Sequence, residues 1–319
     1  MTIIWNKKGL IYQPSNANTW MKSFAQAPCP LLYDYRIRIF FTCRGDPDGE
    51  GNYISYISYL DTEISDPRKV IYVNDKPVIE LGGLGKFDEY GIHPATLMRY
   101  KGKIFFYYQG WTRMERFPYS THLGLAISKD NGMSFQKYSK DPLIIKSKAE
   151  SNLENGFFVL EEKGKFYMWY ATVLEWLEIE GKKKEPVYQI VFARSRNGKD
   201  WESNETPLLN SVYEKEASGR PTVIKINDMY HMWFCYRNVL DFRTGGKGAY
   251  RIGYAYSKDK LNWTRNDANA GIDLSIVGWD SEMMAYPYVI KVKNKLFMFY
   301  NGNEFGKYGF GFAEGLIVN

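Results

Sequence analysis

Three glutamates, Glu89, Glu216 and Glu282, each stand five positions ahead of a proline, Pro94, Pro221 and Pro287, and Asp88 and Asp280 lie close beside two of them. Carboxylates held together in a partly dry pocket have their pKa values driven apart, so one stays protonated as a general acid while another stays ionised. Repetition at one offset selects the three glutamates, and with them the two neighbouring aspartates, as catalytic candidates. The ordinary alternative for each is a solvated loop charge or an arginine's partner. His93 and Arg220 immediately precede two of the same prolines, and Gly219 lets the backbone of EASGR pass close to a ligand, which makes Glu216 the first choice of proton donor. Arg44, Arg220, Arg237, Arg243 and Lys247 fall at comparable places. Guanidinium forks there suit phosphate better than an uncharged ligand, although Arg220 could equally serve to neutralise Glu216.

Other residues offer less. Glu154, in SNLENGFF, misses the shared offset and reads as a capping residue or a catalytic one. Trp111, Trp176 and Trp279 stand in or beside loops where an indole face stacks on a sugar ring or packs under the loop itself. His93 and His122 match no metal-ligand spacing, and neither metal nor cofactor is expected. His231 reads as a core residue. Cys29, Cys43 and Cys235 are an odd, sparse set with no mark of a nucleophile, of the kind left reduced in a cytosol.

These residues need positioning, and one template does it repeatedly. In EASGRPTVIKINDMYHMWFCYR, a polar approach ends in a proline, an apolar strand follows, Asn227-Asp228 turns it, and an aromatic strand returns. The order recurs at EYGIHPATLMRYKGKIFFYYQG and EMMAYPYVIKVKNKLFMFYNG, and more weakly at APCPLLYDYRIRIFFTCRG and NGFFVLEEKGKFYMWYAT. Phe41, Tyr108, Tyr170, Phe234 and Tyr300 align at separations of 67, 62, 64 and 66 residues. Each hairpin is followed by further strand segments, as in LGLAISKDNGMSFQKY. The expectation is an all-β, five-bladed β-propeller with four antiparallel strands per blade.

The last repeat lacks its fourth strand, and IIWNKKGLIY supplies one from the chain's start, so the N-terminal strand is expected to close the last blade. The turn Ser128 to Phe135 fits S-x-D-x-G-x-x-aromatic and reads as structural, with Asp130 bonding nearby backbone. Long, polar connections gather at the opposite end, where function is expected.

Aromatic residues make up 17% of the 319 and glycines number 28, which suits a turn-rich β domain spanning 1–319. No apolar run of 18 residues and no apolar leader segment is present, so a membrane span and a secretory signal are not indicated, and a cytoplasmic location is expected. A net charge of +6 without basic blocks argues against nucleic acid as a partner.

With its acids at the starts of the inner strands, the chain resembles the five-bladed propeller glycosidases: the arabinanase, xylosidase, invertase and levansucrase families and the related mannoside phosphorylases. GWDSEMMAYPYVIKVKNKLFMFYNGNEFGKYGFGFAE, EASGRPTV and GKFDEYGIHPA are most similar to glycosidase-like proteins of bacterial surface-polysaccharide synthesis. The resemblance implies an enzyme acting on an oligosaccharide or glycan conjugate. It departs at SFAQAPCP, where the hydrolases carry an aspartate in the first inner strand and this chain has no acid. Three expectations stand: hydrolysis or transfer by a carboxylate pair drawn from Glu89, Glu216, Asp280 and Glu282 with Asp88 as modulator; phosphorolysis or transfer with an anionic donor held by arginines; and sugar binding without chemistry.

Overall fold

A computed structural model describes all residues except 1, 16–17, 147–152, 180–183, 245 and 319. It is nearly all strand, with only short helical turns such as Asn303–Gly306. Four-strand antiparallel units follow one another along the chain, each running outward from an inner strand. The inner strands are Ser23–Leu32, Gly91–Tyr100, Glu154–Glu162, Glu216–Ile226 and Ala285–Val292. Each pairs with the aromatic strand that returns from its hairpin. The first two units join into one eight-stranded sheet through a single parallel bridge, Ser55 to Gly91, and a short strand at Ile145–Lys146 adds to the third.

The five inner strands touch one another in a closed cycle, the last against the first. Side chains stitch the cycle: Thr96 donates to the carbonyl of Phe157 at 3.2 Å, Thr222 accepts from the Val289 amide at 3.2 Å, and Asn301 donates to the carbonyl of Ala25 at 2.7 Å. In the last unit, Thr2–Tyr12 pairs antiparallel with Phe310–Val318, so the chain's first strand is the outermost of its final sheet. Trp5 is buried there, edge-on to Trp233 at 5.4 Å.

The five aligned aromatic residues are all fully buried, because alternate positions on the second strands face the neighbouring sheet. The S-x-D turn behaves as its sequence suggests: Asp130 Oδ1 accepts from Ser128 Oγ and from the amides of Met133 and Ser134. Asn197 and Asp259 repeat this arrangement in the next two units.

Candidate functional site

A cavity of about 710 Å³ opens at the N-terminal ends of the inner strands. The local backbone explains what lines it. Each inner strand carries a register slip, between Gln26 and Cys29, Pro94 and Thr96, Asn155 and Phe158, Gly219 and Thr222, and Ala285 and Tyr288. A β-bulge of this kind re-aims one side chain. The residues so presented are Ala27, Gly156, Arg220 and Tyr286, and His93, paired in register with Gln109 just ahead of the slip in its own strand, joins them in lining the cavity. Four hold left-handed backbone, with φ of 54° at Ala27, 61° at Gly156, 51° at Arg220 and 56° at Tyr286. In the non-glycine cases such strain costs roughly 1–3 kcal/mol each and clusters where function needs it.

Arginines dominate the polar lining. Arg220 is buried, and its Nη1 donates to the carbonyl of Pro94 at 2.6 Å while Nη2 donates to that of Ala27 at 3.3 Å. Arg44 lies over the rings of Phe24 and Tyr53, at 4.4 and 5.4 Å. Burial pushes the pKa values of both guanidiniums down. Arg237, 3% exposed, donates from Nε to the Tyr250 hydroxyl at 3.0 Å and sits 3.7 Å from Glu185. Burial works against its charge, but Tyr250, Tyr188 and Glu185 outweigh burial and hold its pKa above the ordinary value. Arg243 donates to Glu185 at 2.7 Å. Two buried donors, Arg44 Nε and Arg237 Nη1, have no protein partner among the described residues.

His93 completes this wall. Its Nδ1 lies 2.9 Å from the Thr42 hydroxyl, and burial, reinforced by the charges of Arg44 and Arg220, pushes its pKa down to about 3. It is therefore a neutral hydrogen-bonding group at neutral pH. The phenols of Tyr119, Tyr250 and Tyr286 are all pushed up by burial and stay protonated. Of the lining carboxylates, Glu185 is shared by two arginines, and Glu304 is held below its usual range by hydrogen bonds from Lys307 and Tyr308.

Neither the three glutamates of the shared offset nor the two aspartates beside them line the cavity. Glu216, 1% exposed, caps the Val212 amide at 2.9 Å and pairs with Arg265 at 2.7 Å, so it is turned toward the outermost strand of its own unit. Asp88 takes Tyr108 at 3.0 Å and Lys137 at 2.5 Å; Asp280 takes Tyr300 at 2.9 Å and Lys7 at 2.8 Å. In all three units, a buried acid at or just ahead of the start of the inner strand is bound by a base from the outermost strand. Only Glu216 among the three glutamates of the shared offset takes part in such a tie. Glu89 caps the Gly85 amide at 2.7 Å, and the Glu282 side chain is exposed. The expected pairing of Glu216 with Arg220 is corrected by the same contacts: Arg265 neutralises Glu216, and Arg220 reaches across the axis.

The remaining candidates divide. His93, Arg220, Arg44 and Arg237 line the cavity; Glu154, Trp111 and Trp176 do not. Glu154 is buried with His122 at 3.8 Å, and burial raises its pKa against the pull of that histidine. Trp111 packs against Tyr90 at 6.3 Å, Trp176 stacks on Phe117 at 5.1 Å, and Trp279 stacks on Tyr300 at 5.0 Å, so packing accounts for all three. Lys247 lines a separate hollow with Arg251 and Asp273. His231 is buried against the Tyr254 hydroxyl at 2.7 Å. Among the described residues no His, Cys, Asp and Glu side chains gather into a metal-binding group, and no helix is long and apolar enough to cross a membrane.

Sequence reasoning missed Glu185, Tyr188, Tyr250, Tyr286 and Phe305. The residue immediately before each proline would have found Tyr286, because in its unit that position, not the one five residues earlier, sits on the bulge. The others come from outer connections that follow no common offset.

No family model matches the sequence. The chain is 32% identical over 311 residues to the uncharacterized protein Rv1502 of Mycobacterium tuberculosis (strain ATCC 25618 / H37Rv), covering 97% of this chain and 98% of the relative. Among solved structures it resembles a glycoside hydrolase with a TM-score of 0.74 at 18% identity, covering 98% of this chain and 92% of that one. It also resembles the β-1,2-mannobiose phosphorylase of Listeria innocua, solved in complex with β-1,2-mannobiose, with a TM-score of 0.68 at 12% identity and coverage of 99% and 96%. The chain belongs to the family of the mycobacterial protein Rv1502, and its architecture is that of the glycosidase-like propeller superfamily.

Proposed function

We propose that this chain is an enzyme that makes or breaks a glycosidic bond on a five-bladed propeller of four antiparallel strands per blade, with an anionic group seated among Arg44, Arg220 and Arg237. The anion is inorganic phosphate or the phosphate of a glycosyl donor. One observation carries the reading: three guanidiniums, those of Arg220 and Arg237 buried and that of Arg44 half-buried, line one cavity, and Arg44 and Arg237 each have a buried N–H that no protein group accepts among the described residues. A buried, under-satisfied cation is costly unless a ligand completes it, and guanidinium forks match phosphate oxygens. A pair of free carboxylates, which hydrolysis uses, is not what the described lining offers.

In phosphorolysis an oxygen of hydrogen phosphate bonds to the anomeric carbon as the glycosidic C–O bond breaks, and the proton the phosphate brought ends on the freed sugar oxygen; in the reverse direction a sugar hydroxyl bonds to the anomeric carbon as phosphate leaves, and the hydroxyl's proton goes to the departing phosphate. The arginines would stabilise the phosphate in either direction, while neutral His93 and the phenols hold sugar hydroxyls. The test is turnover of β-1,2-mannobiose and other disaccharides with and without phosphate, read as sugar 1-phosphate formed, together with phosphate release from sugar 1-phosphates plus acceptor. Hydrolysis that is indifferent to phosphate, and unaffected by Arg220→Lys, would overturn the reading.

A further inference from the structure

At the rim of the same cavity, Glu304 and Phe305 are consecutive non-glycine residues in left-handed backbone, with φ of 50° and 59°. One such residue is uncommon, and two in succession persist only where the surroundings over-determine them. Here they do. Asn303 Oδ1 accepts from the amides of Glu282 and Met283 at 2.8 and 3.2 Å, fixing the start of the turn. The carbonyl of Phe305 accepts from Gln26 Nε2 at 2.5 Å, which ties the turn to the first inner strand, and the Phe305 amide meets Met283 Sδ at 3.3 Å. Gly306, in left-handed backbone at φ 84°, packs against the Asn301 amide, where any Cβ would meet Nδ2 at 2.2 Å.

This scaffolding delivers one ring. Phe305 is half-buried and lines the cavity, with Tyr250 and Phe242 meeting it edge to face at 6.0 and 6.1 Å. Its two ring neighbours also contact Arg237: Tyr250 accepts from it and Phe242 lies 3.6 Å under its guanidinium. A partly uncovered aromatic ring beside an anion seat, in a cavity whose lining mixes further aromatic rings with polar groups, suits a ligand that is apolar on its face and hydroxylated at its edge. A saccharide ring is such a ligand.

We infer that Phe305 is a specificity-determining residue, the ring on which the sugar joined to the anionic group is seated. This rests on the anion seat proposed above and adds what the anion must carry: the substrate is a phosphorylated saccharide, bound through both parts.

Calorimetric binding of inorganic phosphate, α-D-mannose 1-phosphate and α-D-glucose 1-phosphate to the full chain separates the two parts. At least one sugar phosphate should bind about tenfold more tightly than inorganic phosphate, a difference near 1.4 kcal/mol. Phe305→Ala should abolish that advantage while leaving the phosphate Kd within about twofold. Phe305→Tyr, which keeps the flat ring, should retain the advantage, and Phe305→Leu, which keeps apolar packing without it, should not. The inference is overturned if Phe305→Ala and Phe305→Leu both keep the advantage, if they weaken phosphate and sugar phosphate alike, or if wild type shows no advantage. Wild type that fails to bind inorganic phosphate at all would instead overturn the anion seat, and the sugar seat with it.

Discussion

The guanidinium of Arg220 reaches from the fourth inner strand to the carbonyl of Pro94 in the second, which accepts from its Nη1 at 2.6 Å. A second bond from the same fork reaches Ala27 in the first, so one charged side chain ties three units across the axis and floors the cavity. Lysine has no fork. Arg220→Lys should therefore weaken phosphate binding by about tenfold or more while lowering stability by roughly 1–3 kcal/mol, as buried carbonyls lose their donors. Calorimetry and a denaturant titration read the two effects separately; unchanged phosphate affinity would remove Arg220 from the anion seat.

Glu216 is expected to matter for stability and not for turnover. Glu216→Ala removes one of the two carboxylates that hold Arg265, Asp267 remaining at 2.9 Å, and should cost roughly 1–3 kcal/mol; Glu216→Gln, which still accepts hydrogen bonds, should cost less. Activity per folded molecule should be preserved in both. A large fall in the turnover of Glu216→Gln at wild-type stability would restore the glutamate as the proton donor.

Gly156 allows the backbone of Arg220 to come close: a Cβ there would lie 2.6 Å from the Arg220 nitrogen, in a backbone of φ 61°. Gly156→Ala should destabilise by roughly 1–3 kcal/mol and weaken phosphate binding by moving Arg220, though it touches no anion itself. Thermal melts and phosphate titration of the variant check this, and wild-type values in both would contradict it.

Acid sensitivity follows from the histidines. The pKa of His93 in the folded chain is about 3 and that of His231 about 4, both depressed from an ordinary 6.5, chiefly by burial. The unfolded chain therefore binds more protons between about pH 6.5 and pH 3, so the stability is fully present above 6.5 and is lost as pH falls through that window. Each histidine contributes up to about 1.4 kcal/mol per pH unit. His93→Gln should flatten the decline, and phosphate should as well, since an anion between Arg44 and Arg220 offsets the charges that disfavour a protonated His93. Urea unfolding from pH 7 to 4 measures both.

Much of the fold was legible because its signals are local and repeated: the two-residue turn at Asn227-Asp228, the aromatic return strands and the Ser128–Asp130 turn are each set by a few neighbouring residues. The closing role of Thr2–Tyr12 was legible from a strand missing at the other end. The site was only half legible. Arg220 and His93 announced themselves beside their prolines, but the bulge that aims Arg220 is a property of pairing, which composition does not display. The acids misled for a physical reason. The shared offset answers no common need: Glu89 caps an amide, Glu282 is exposed and Glu216 is bound by Arg265. The acids that do share a role, Asp88, Glu216 and Asp280, stand at three different distances from their prolines and meet Lys137, Arg265 and Lys7, whose approach from the outermost strands the local sequence does not reveal.

The pairing of Thr2–Tyr12 with Phe310–Val318 has a consequence for biosynthesis. The two strands lie about 300 residues apart along the chain, so Thr2–Tyr12 leaves the ribosome well before its pairing partner and that sheet stays incomplete until Phe310–Val318 is made. Throughout that interval Ile3, Trp5 and Ile11, all buried in the finished molecule, lack the covering that this partner strand gives them. At roughly 5–20 residues per second the wait is on the order of tens of seconds, a window in which a chaperone has an apolar N-terminal segment to hold.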